Sequence, residues 1–152
     1  MKDLFGYQPI QALSWRQPFG TAMLLGKMET RVWDTPYRGK VLICTSQVAY
    51  NEETVRRICG EDQFARLCKA LLEFPETLDL NGYAIGVAEL VHSRRMRKSD
   101  EDSTYVKYRP DLFVHIYDNP VPIKPFKWKG QLSWKDVDAE IENTIEYLAP
   151  YV

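Results

Sequence analysis

The chain has 152 residues, of which 45% are hydrophobic and 27% are charged, and this composition is typical of an ordinary globular protein with one domain. A chain of this length buries enough surface to fold without disulfides or a structural metal. Lys and Arg number 20 and Asp and Glu number 21, so the net charge of −1 excludes a general polycation. Any contact with nucleic acid therefore has to come from a local basic patch.

The cysteines and histidines argue against a metal site. Cys44, Cys59 and Cys68 form no C-x-x-C pair and lie among apolar residues, which predicts buried free thiols in a reducing cytoplasm. His92 and His115 are far apart in sequence, so no metal and no other cofactor is expected. No apolar run could span a bilayer and the N-terminus lacks the apolar core of a signal peptide, so we expect a cytoplasmic protein without membrane contact.

The first third of the chain carries the clearest pattern. Residues 10–15 predict a short strand. Pro18 suits the first turn of a helix, and Gly26 is placed to end that helix. From residue 27 the period changes to two, which predicts a strand that ends before Pro36.

The rest of the chain alternates irregularly between helices and strands. Residues 41–45 predict a central strand, and Asn51 is placed to cap a helix that Gly60 ends. The remaining predicted elements are a helix from about residue 62, strands at 83–91, 112–117 and 132–134, a proline-rich extended segment at 119–126, and an amphipathic C-terminal helix at about 137–148. This order predicts an α+β fold with a small curled antiparallel or mixed sheet.

The most distinctive candidate site lies on the strand after Gly26. Its period of two places Lys27, Glu29 and Arg31 on one side, followed by Trp33. A carboxylate, a planar guanidinium and an ammonium are suited to the polar edge of a base, and Trp33 is suited to stacking on it. The alternative is an exposed strand edge whose charges pair with one another in water.

Two further segments are candidates for ligand contacts. Gln17, Pro18 and Phe19 lie where a strand turns into a helix N-terminus, which is suited to a phosphate or carbonyl oxygen, although capping and packing would also explain them. The segment 124–129 interleaves lysines with aromatic rings, as nucleic-acid surfaces do. The alternatives are an extended segment that covers the curled sheet with its lysines in solvent, or a surface for a protein partner. The basic run at 94–98 is opposed by the acidic run at 100–102, which favours a solvated loop.

Several blocks together resemble the ASCH domain, which is related to the PUA fold. They are LSWRQPF, then Gly26-Lys27, Glu29-Thr30-Arg31-x-Trp33, Thr35-Pro36-x-Arg38-Gly39 and the strand into Ser46. The resemblance covers roughly residues 10–137, with weaker matches at residues 82–91 and 119–134.

The resemblance implies one ASCH/PUA-like domain over residues 1–152, built as a small PUA-like β-barrel with flanking helices. It also implies a cleft on the 14–46 segment and an RNA or nucleoside-type small molecule as ligand. The expected ligand-binding residues are Ser14, Gln17, Pro18, Phe19, Glu29, Arg31, Trp33, Arg38, Ser46, Lys127 and Lys129.

An enzymatic alternative also follows from the resemblance. Some small members of the family are amidohydrolases that act on N4-acetylcytidine, and ribonuclease activity is described for others. Lys27, Glu29 and Thr30 would be the catalytic residues of such an enzyme. The chain departs from the usual G-x-K-x-x-E-x-R pattern because Gly26 and Lys27 are adjacent and one residue separates Lys27 from Glu29. This shortened turn favours binding over catalysis.

Overall fold

The computed structural model describes residues 8–148, so the predicted domain bounds of 1–152 extend beyond the described residues at both ends. These residues form six strands and five α-helices. The strands are β1 (Gln11–Trp15), β2 (Glu29–Arg31), β3 (Gly39–Thr45), β4 (Tyr83–Arg95), β5 (Phe113–Lys127) and β6 (Lys135–Asp136). The helices are α1 (Phe19–Met23), α2 (Glu52–Cys59), α3 (Glu61–Leu71), α4 (Glu101–Thr104) and α5 (Ala139–Glu142).

The strands form one mixed sheet in the order β2-β5-β4-β3-β1-β6. β1 and β3 are parallel, and the other neighbours are antiparallel. The sheet curls into a half-barrel, and within residues 8–148 no ladder joins its two edge strands, β2 and β6. The structure is therefore of the predicted α+β class, with a half-barrel in place of a closed barrel.

Irregular pairing lets the two longest strands bend. The β4–β5 ladder shifts register three times, and such bulges increase local twist and curvature. At Gly86 an added Cβ would lie 2.5 Å from Leu24 Cδ2 and 3.1 Å from the carbonyl oxygen of Val121. Gly86 therefore lets the backbone of β5 approach β4 closely, which a side chain would obstruct.

The central strand is covered on both faces. Val41 and Ile43 pack into the cluster beneath the helices, whereas Leu42 and Cys44 pack into a second cluster with Val137 on the opposite face. Burial on both faces explains why β3 is a continuous apolar run rather than an alternating one.

The helices begin and end largely where the sequence predicts. The side chain of Asn51 accepts a hydrogen bond of 2.8 Å from the backbone N–H of Thr54, and Gly60 ends α2 with a φ of 80°. The prediction of three buried thiols is wrong in one case, because Cys44 and Cys59 are buried but Cys68 on α3 is exposed.

The end of the chain differs from the sequence prediction. The proline-rich segment belongs to β5, which pairs with β2 only over residues 113–115. Within residues 8–148, this stretch of β5 has β4 as its one neighbouring strand in the sheet, a position in which prolines are tolerated. The last strand lies at 135–136 instead of 132–134. The C-terminal helix spans only Ala139–Glu142, because the backbone beyond it pairs with β5: Lys124 N–H donates to Glu146 O and Leu148 N–H donates to Pro122 O.

Within residues 8–148, no helix combines the length and apolar character that crossing a membrane would require.

Candidate functional site

A cleft of about 610 Å³ opens between the C-terminal end of β1, strand β2, and the loop that follows β3, and this volume is typical of small-molecule sites. The residues that line it are Ser14, Trp15, Arg16, Phe19, Lys27, Glu29, Thr30, Arg31, Val32, Ser46, Gln47, Val48, Tyr50, Ile58, Val106, Arg109, Leu112, Gln131 and Leu132. Seven of these residues were expected from the sequence to be in the site: Ser14, Phe19, Lys27, Glu29, Thr30, Arg31 and Ser46.

Three charged side chains converge in this cleft, and we call them the charged triad: Lys27, Glu29 and Arg31. Lys27 Nζ lies 3.4 Å from Glu29 Oε1, and Arg31 Nε lies 3.2 Å from Glu29 Oε2. The side chains of Lys27 and Glu29 are 0% and 7% exposed. This segment therefore does not form the flat exposed edge with solvated charges that was the alternative.

Local backbone structure brings the triad together. Gly26 has a φ of 84° and redirects the chain out of the turn that follows α1. Met28 N–H then donates to Ser103 O at 2.9 Å, which ties this segment to α4. The spacing of two residues places Lys27, Glu29 and Arg31 on one side, as the sequence predicts.

Burial lowers the pKa of Lys27, and Glu29 opposes this shift as the nearest charge. The carboxylate of Glu29 is shared with Arg31, which brings a second positive charge to it. Glu29 and Arg31 are together neutral, so a proton on Lys27 is a surplus buried charge. Lys27 Nζ also donates to Met28 O at 3.0 Å, a contact that either protonation state makes.

Arg31 is held by contacts on several sides. Its Nη2 donates to Ser14 O at 3.1 Å, and its guanidinium carbon lies 5.1 Å from the ring centroid of Trp15 and 5.8 Å from that of Trp33. The Nε atom is buried and does not meet hydrogen-bond geometry with any described residue, although it is 3.2 Å from Glu29. The contact of Arg31 Nε with Glu29 is thus an ion pair without a hydrogen bond.

His115 lies behind the triad on β5. It pairs with Glu29 in the β2–β5 ladder, and its Nε2 lies 2.9 Å from Trp33 O. Burial lowers the pKa of His115. A neutral His115 with its proton on Nε2 donates to this carbonyl and fixes the chain beyond β2.

The wall and rim of the cleft are aromatic and apolar. The rings of Phe19 and Tyr50 meet edge to face with centroids 5.9 Å apart. Val32, Val48 and Leu132 are 62%, 64% and 99% exposed, respectively. The cleft thus combines a charged floor with apolar sides, an arrangement that suits a flat polar heterocycle.

The structure gives Gln17 an internal role. Its Nε2 donates to Thr77 O at 2.8 Å and to Thr21 Oγ1 at 2.9 Å, while its Oε1 accepts from Thr21 N–H at 2.9 Å. Gln17 and Pro18 do not line the cleft, and the peptide bond between them is cis. We expected Gln17 to contact a ligand oxygen. Instead, its carboxamide makes internal hydrogen bonds that connect α1 to Thr77.

Two other expected ligand residues lie outside the cleft lining. The ring of Trp33 packs against His115 and Trp134 with centroid distances of 4.9 and 5.9 Å. Arg38 is exposed, and its Nη1 donates to Thr35 O at 2.8 Å and to Tyr37 O at 2.7 Å. Trp33 therefore packs beside the Arg31 guanidinium and does not line the cleft.

The last two expected ligand residues, Lys127 and Lys129, lie in a second depression of about 640 Å³. Its lining comprises Gln47, Asn81, Gly82, Tyr83, Lys127, Trp128, Lys129 and Gly130. Gln47 also lines the cleft, so the two depressions adjoin.

The basic run at 94–98 lies outside both depressions and is partly structural. Arg94 and Arg95 belong to β4, and Arg94 donates to both oxygens of Asp100 at 2.8 and 2.9 Å. The hydrogen bonds from Arg94 hold the pKa of Asp100 below its ordinary value. This part of the run is neutralised locally and is not a solvated loop.

Several cleft residues carry no signal in the sequence. Tyr50, Ile58, Arg109 and Leu132 come from segments far from β2, and only tertiary packing brings them to the cleft. The described residues 8–148 contain no group of three His, Cys, Asp or Glu side chains arranged to hold a metal.

Comparisons with known proteins identify a similar fold without a similar sequence. No protein-family model and no curated protein matches the chain. The structure is similar to the crystal structure of a mutant ZmASCH protein from Zymomonas mobilis, with a TM-score of 0.54 and 12% sequence identity. The alignment covers 90% of this chain and 95% of that chain. The chain therefore has the fold of a protein named for the ASCH domain.

Proposed function

We propose that this protein is an ASCH-type domain that binds RNA or a modified nucleoside by taking a base into the cleft. One observation carries the proposal: a buried carboxylate, Glu29, is held between two basic side chains at the floor of a cleft of about 610 Å³. Buried ions are costly, and a triad that faces a cleft offers its remaining hydrogen-bonding capacity to a ligand.

The triad offers both acceptors and donors to the edge of a base. Glu29 Oε1 already accepts from Thr30 N–H at 2.9 Å and from Lys27, whereas among the described residues Oε2 has only the ion pair with Arg31. The free lone pairs of Oε2 are suited to the N–H groups of an exocyclic or ring amine. The Arg31 guanidinium and the Thr30 hydroxyl are suited to a neighbouring carbonyl oxygen.

Aromatic side chains supply the stacking surface. Phe19 and Tyr50 line the cleft and face one another edge to face. Stacking of a base on an aromatic side chain contributes about 1–3 kcal/mol to binding. In this proposal Phe19 and Tyr50 stack on the base in place of Trp33, which does not line the cleft.

The fold likeness and the sequence resemblance both support an ASCH-type assignment. The blocks that carry the resemblance, from Ser14 to Ser46, flank the cleft, and the shortened turn between Gly26 and Glu29 is where Lys27 enters it. Because Lys27 and Glu29 are in contact across this turn, the departure from the usual spacing leaves the charged floor intact.

Binding measurements test this proposal directly. The wild-type protein is titrated with adenosine, cytidine, guanosine, uridine, N4-acetylcytidine and the four homopolymeric octaribonucleotides, using calorimetry and fluorescence anisotropy. At least one probe should bind, and Tyr50→Ala and Arg31→Ala should each weaken binding about tenfold or more, because each removes one class of contact. Arg38→Ala is the matched control, since this exposed arginine lies outside the cleft lining and donates to the backbone oxygens of Thr35 and Tyr37. The proposal fails when no probe binds to correctly folded wild-type protein.

A second candidate, hydrolysis of an acylated nucleoside such as N4-acetylcytidine, is favoured by one specific feature. Lys27 lines the cleft, its side chain is fully buried, and burial lowers its pKa, which are the conditions for an amine that acts as a general base. A neutral Lys27 would take a proton from water as the water oxygen attacks the acyl carbon. The proton would pass to the leaving amine as the C–N bond breaks, yielding acetate and cytidine.

Release of acetate from N4-acetylcytidine tests the catalytic candidate separately from binding. Lys27→Met should lower the rate about 10²–10⁴-fold while N4-acetylcytidine still binds, because it removes the base and keeps a side chain of similar length. An unchanged rate in this variant rules out Lys27 as the base. If N4-acetylcytidine binds but no acetate is released, the binding proposal stands and the catalytic candidate is rejected.

A further inference from the structure

The second depression adjoins the cleft, and the same two segments border both. Residues 46–48 line the cleft, and Gln47 among them also lines the second depression. On the other side, residues 127–130 line the second depression and residues 131–132 line the cleft. Gly130 marks the junction, where an added Cβ would lie 2.5 Å from Ser14 Oγ. The two depressions are therefore successive parts of one groove.

The second depression has the charge of a phosphate site. Of its eight lining residues, two are lysines and none is acidic, in a protein whose net charge is −1. Lys127 and Lys129 are exposed, and no ion pair or hydrogen bond of either side chain occurs within residues 8–148. Other basic residues near the groove differ, since Arg109 is paired with Asp111 and Arg16 donates to the backbone oxygens of Val48 and Ala49.

The backbone holds the two lysines in place. Lys127 pairs with Tyr83 at the end of the β4–β5 ladder, and Trp128 N–H donates to Gly82 O at 2.9 Å. The ring of Trp128 is buried against Phe126, with centroids 6.4 Å apart. Lys127 and Lys129 thus extend from a fixed strand end and not from a loose loop.

We propose that the second depression is a subsite for the phosphodiester of a nucleotide next to the base held in the cleft, so that the ligand is a single-stranded polynucleotide and not a free nucleoside. This inference rests on the proposed function of the cleft. Lys127 and Lys129 contact phosphate oxygens, while Tyr83, which is half-buried in the same depression, offers a ring to the neighbouring sugar or base.

The test compares a nucleoside with its own oligonucleotide. The probes are the homopolymeric octaribonucleotide that the wild-type protein binds most tightly, the octadeoxyribonucleotide of the same base, and the free nucleoside. The variants are Lys127→Ala/Lys129→Ala and, as a matched control, Lys69→Ala/Lys98→Ala, which removes two exposed lysines outside both depressions. Circular dichroism checks that both variants are folded.

The double lysine variant should lose affinity for the octanucleotide, and the loss should grow as the salt concentration falls. Each phosphate contact to a single strand contributes about 0.7 to the slope of log K against log salt, so losing two contacts should lower the slope by about 1.4. Between 1 M and 0.1 M salt, the affinity of the double lysine variant for the octanucleotide should therefore fall behind that of the wild type by about 25-fold. Affinity for the free nucleoside should be unchanged, and the control variant should match the wild type.

The outcomes separate this inference from the proposed function. Equal affinity for nucleoside and octanucleotide, or an octanucleotide affinity that the double lysine variant keeps, overturns the subsite while the cleft still binds a base. Absence of binding to every probe overturns both. If the double lysine variant shows the expected loss, the two octamers identify the ligand. Binding of the ribo-octamer alone indicates RNA, and equal binding of the deoxy-octamer indicates single strands of either kind.

Discussion

Neutralising Glu29 should destabilise the fold, and removing the charge of Lys27 as well should restore part of the loss. Glu29→Gln leaves the Lys27 ammonium buried without its carboxylate. At 3.4 Å and an effective dielectric constant of about 20, the lost attraction is about 5 kcal/mol. Breaking a buried pair from one side typically costs about 3–5 kcal/mol.

The free energy needed to deprotonate Lys27 sets an upper limit on the destabilisation that Lys27 causes in Glu29→Gln. The variant can bury a neutral amine instead of an ammonium, and at pH 7 that requires removing a proton whose ordinary pKa is 10.5. The cost is about 1.36 kcal/mol for each of the 3.5 pH units, or about 5 kcal/mol. Because burial already lowers the pKa of Lys27 in the wild-type fold, the destabilisation that Lys27 causes in the variant lies below this limit.

A double-mutant cycle measured by urea unfolding tests this reasoning. Lys27→Met, Glu29→Gln and the double variant should give a coupling free energy of about 2–5 kcal/mol, because the double variant no longer contains the unpaired ammonium. The control cycle uses Glu52 and Arg56, an exposed i,i+4 pair on α2, which should show little coupling. If the free-energy costs of Lys27→Met and Glu29→Gln add to that of the double variant within about 0.5 kcal/mol, the two side chains do not form a stabilising ion pair.

The remaining predictions concern pH, capping and packing. Because burial lowers the pKa of Lys27, the unfolded chain binds more protons there than the folded chain between that lowered pKa and 10.5. Wild-type stability should therefore rise relative to Lys27→Met as pH increases through this window, by at most about 1.36 kcal/mol per pH unit, and parallel urea curves at each pH would contradict this. Asn51→Ala should cost about 1 kcal/mol in thermal unfolding, since it removes the cap on Thr54 N–H, whereas Asn51→Asp should cost little. Gly86→Ala should cost about 1–3 kcal/mol, because its methyl group would press on the carbonyl oxygen of Val121; an unchanged midpoint would show that β5 yields there.

Local signals allowed much of the fold to be predicted. Asn51 and Gly60 bound α2 as predicted because capping depends on a few neighbouring residues. The run in β3 predicts a central strand because burial on both faces requires a continuous apolar sequence. The lengths of β4 and β5 could not be predicted, since their bulges and the short β2–β5 ladder depend on which strands become neighbours.

The candidate site was only partly predictable for the same reason. Spacing alone places Lys27, Glu29 and Arg31 on one side, but it does not reveal that this side is buried. Gln17 shows the opposite case, because its position suggests a ligand contact whereas Thr77, from a distant part of the chain, occupies its amide. Tyr50 and Leu132 reach the cleft through tertiary packing, which no local pattern encodes.

The position of β2 at the edge of the sheet has a consequence for local opening. This strand has three residues, and within residues 8–148 it pairs with β5 alone. The chain just beyond it is held by contacts such as that of Trp33 with His115, which are 82 residues apart in sequence. Short edge segments exchange their amide hydrogens through local fluctuations instead of global unfolding. The segment that carries Glu29 and Arg31 should therefore exchange faster than β3 in the free protein, and occupation of the cleft would appear as slowed exchange confined to β2.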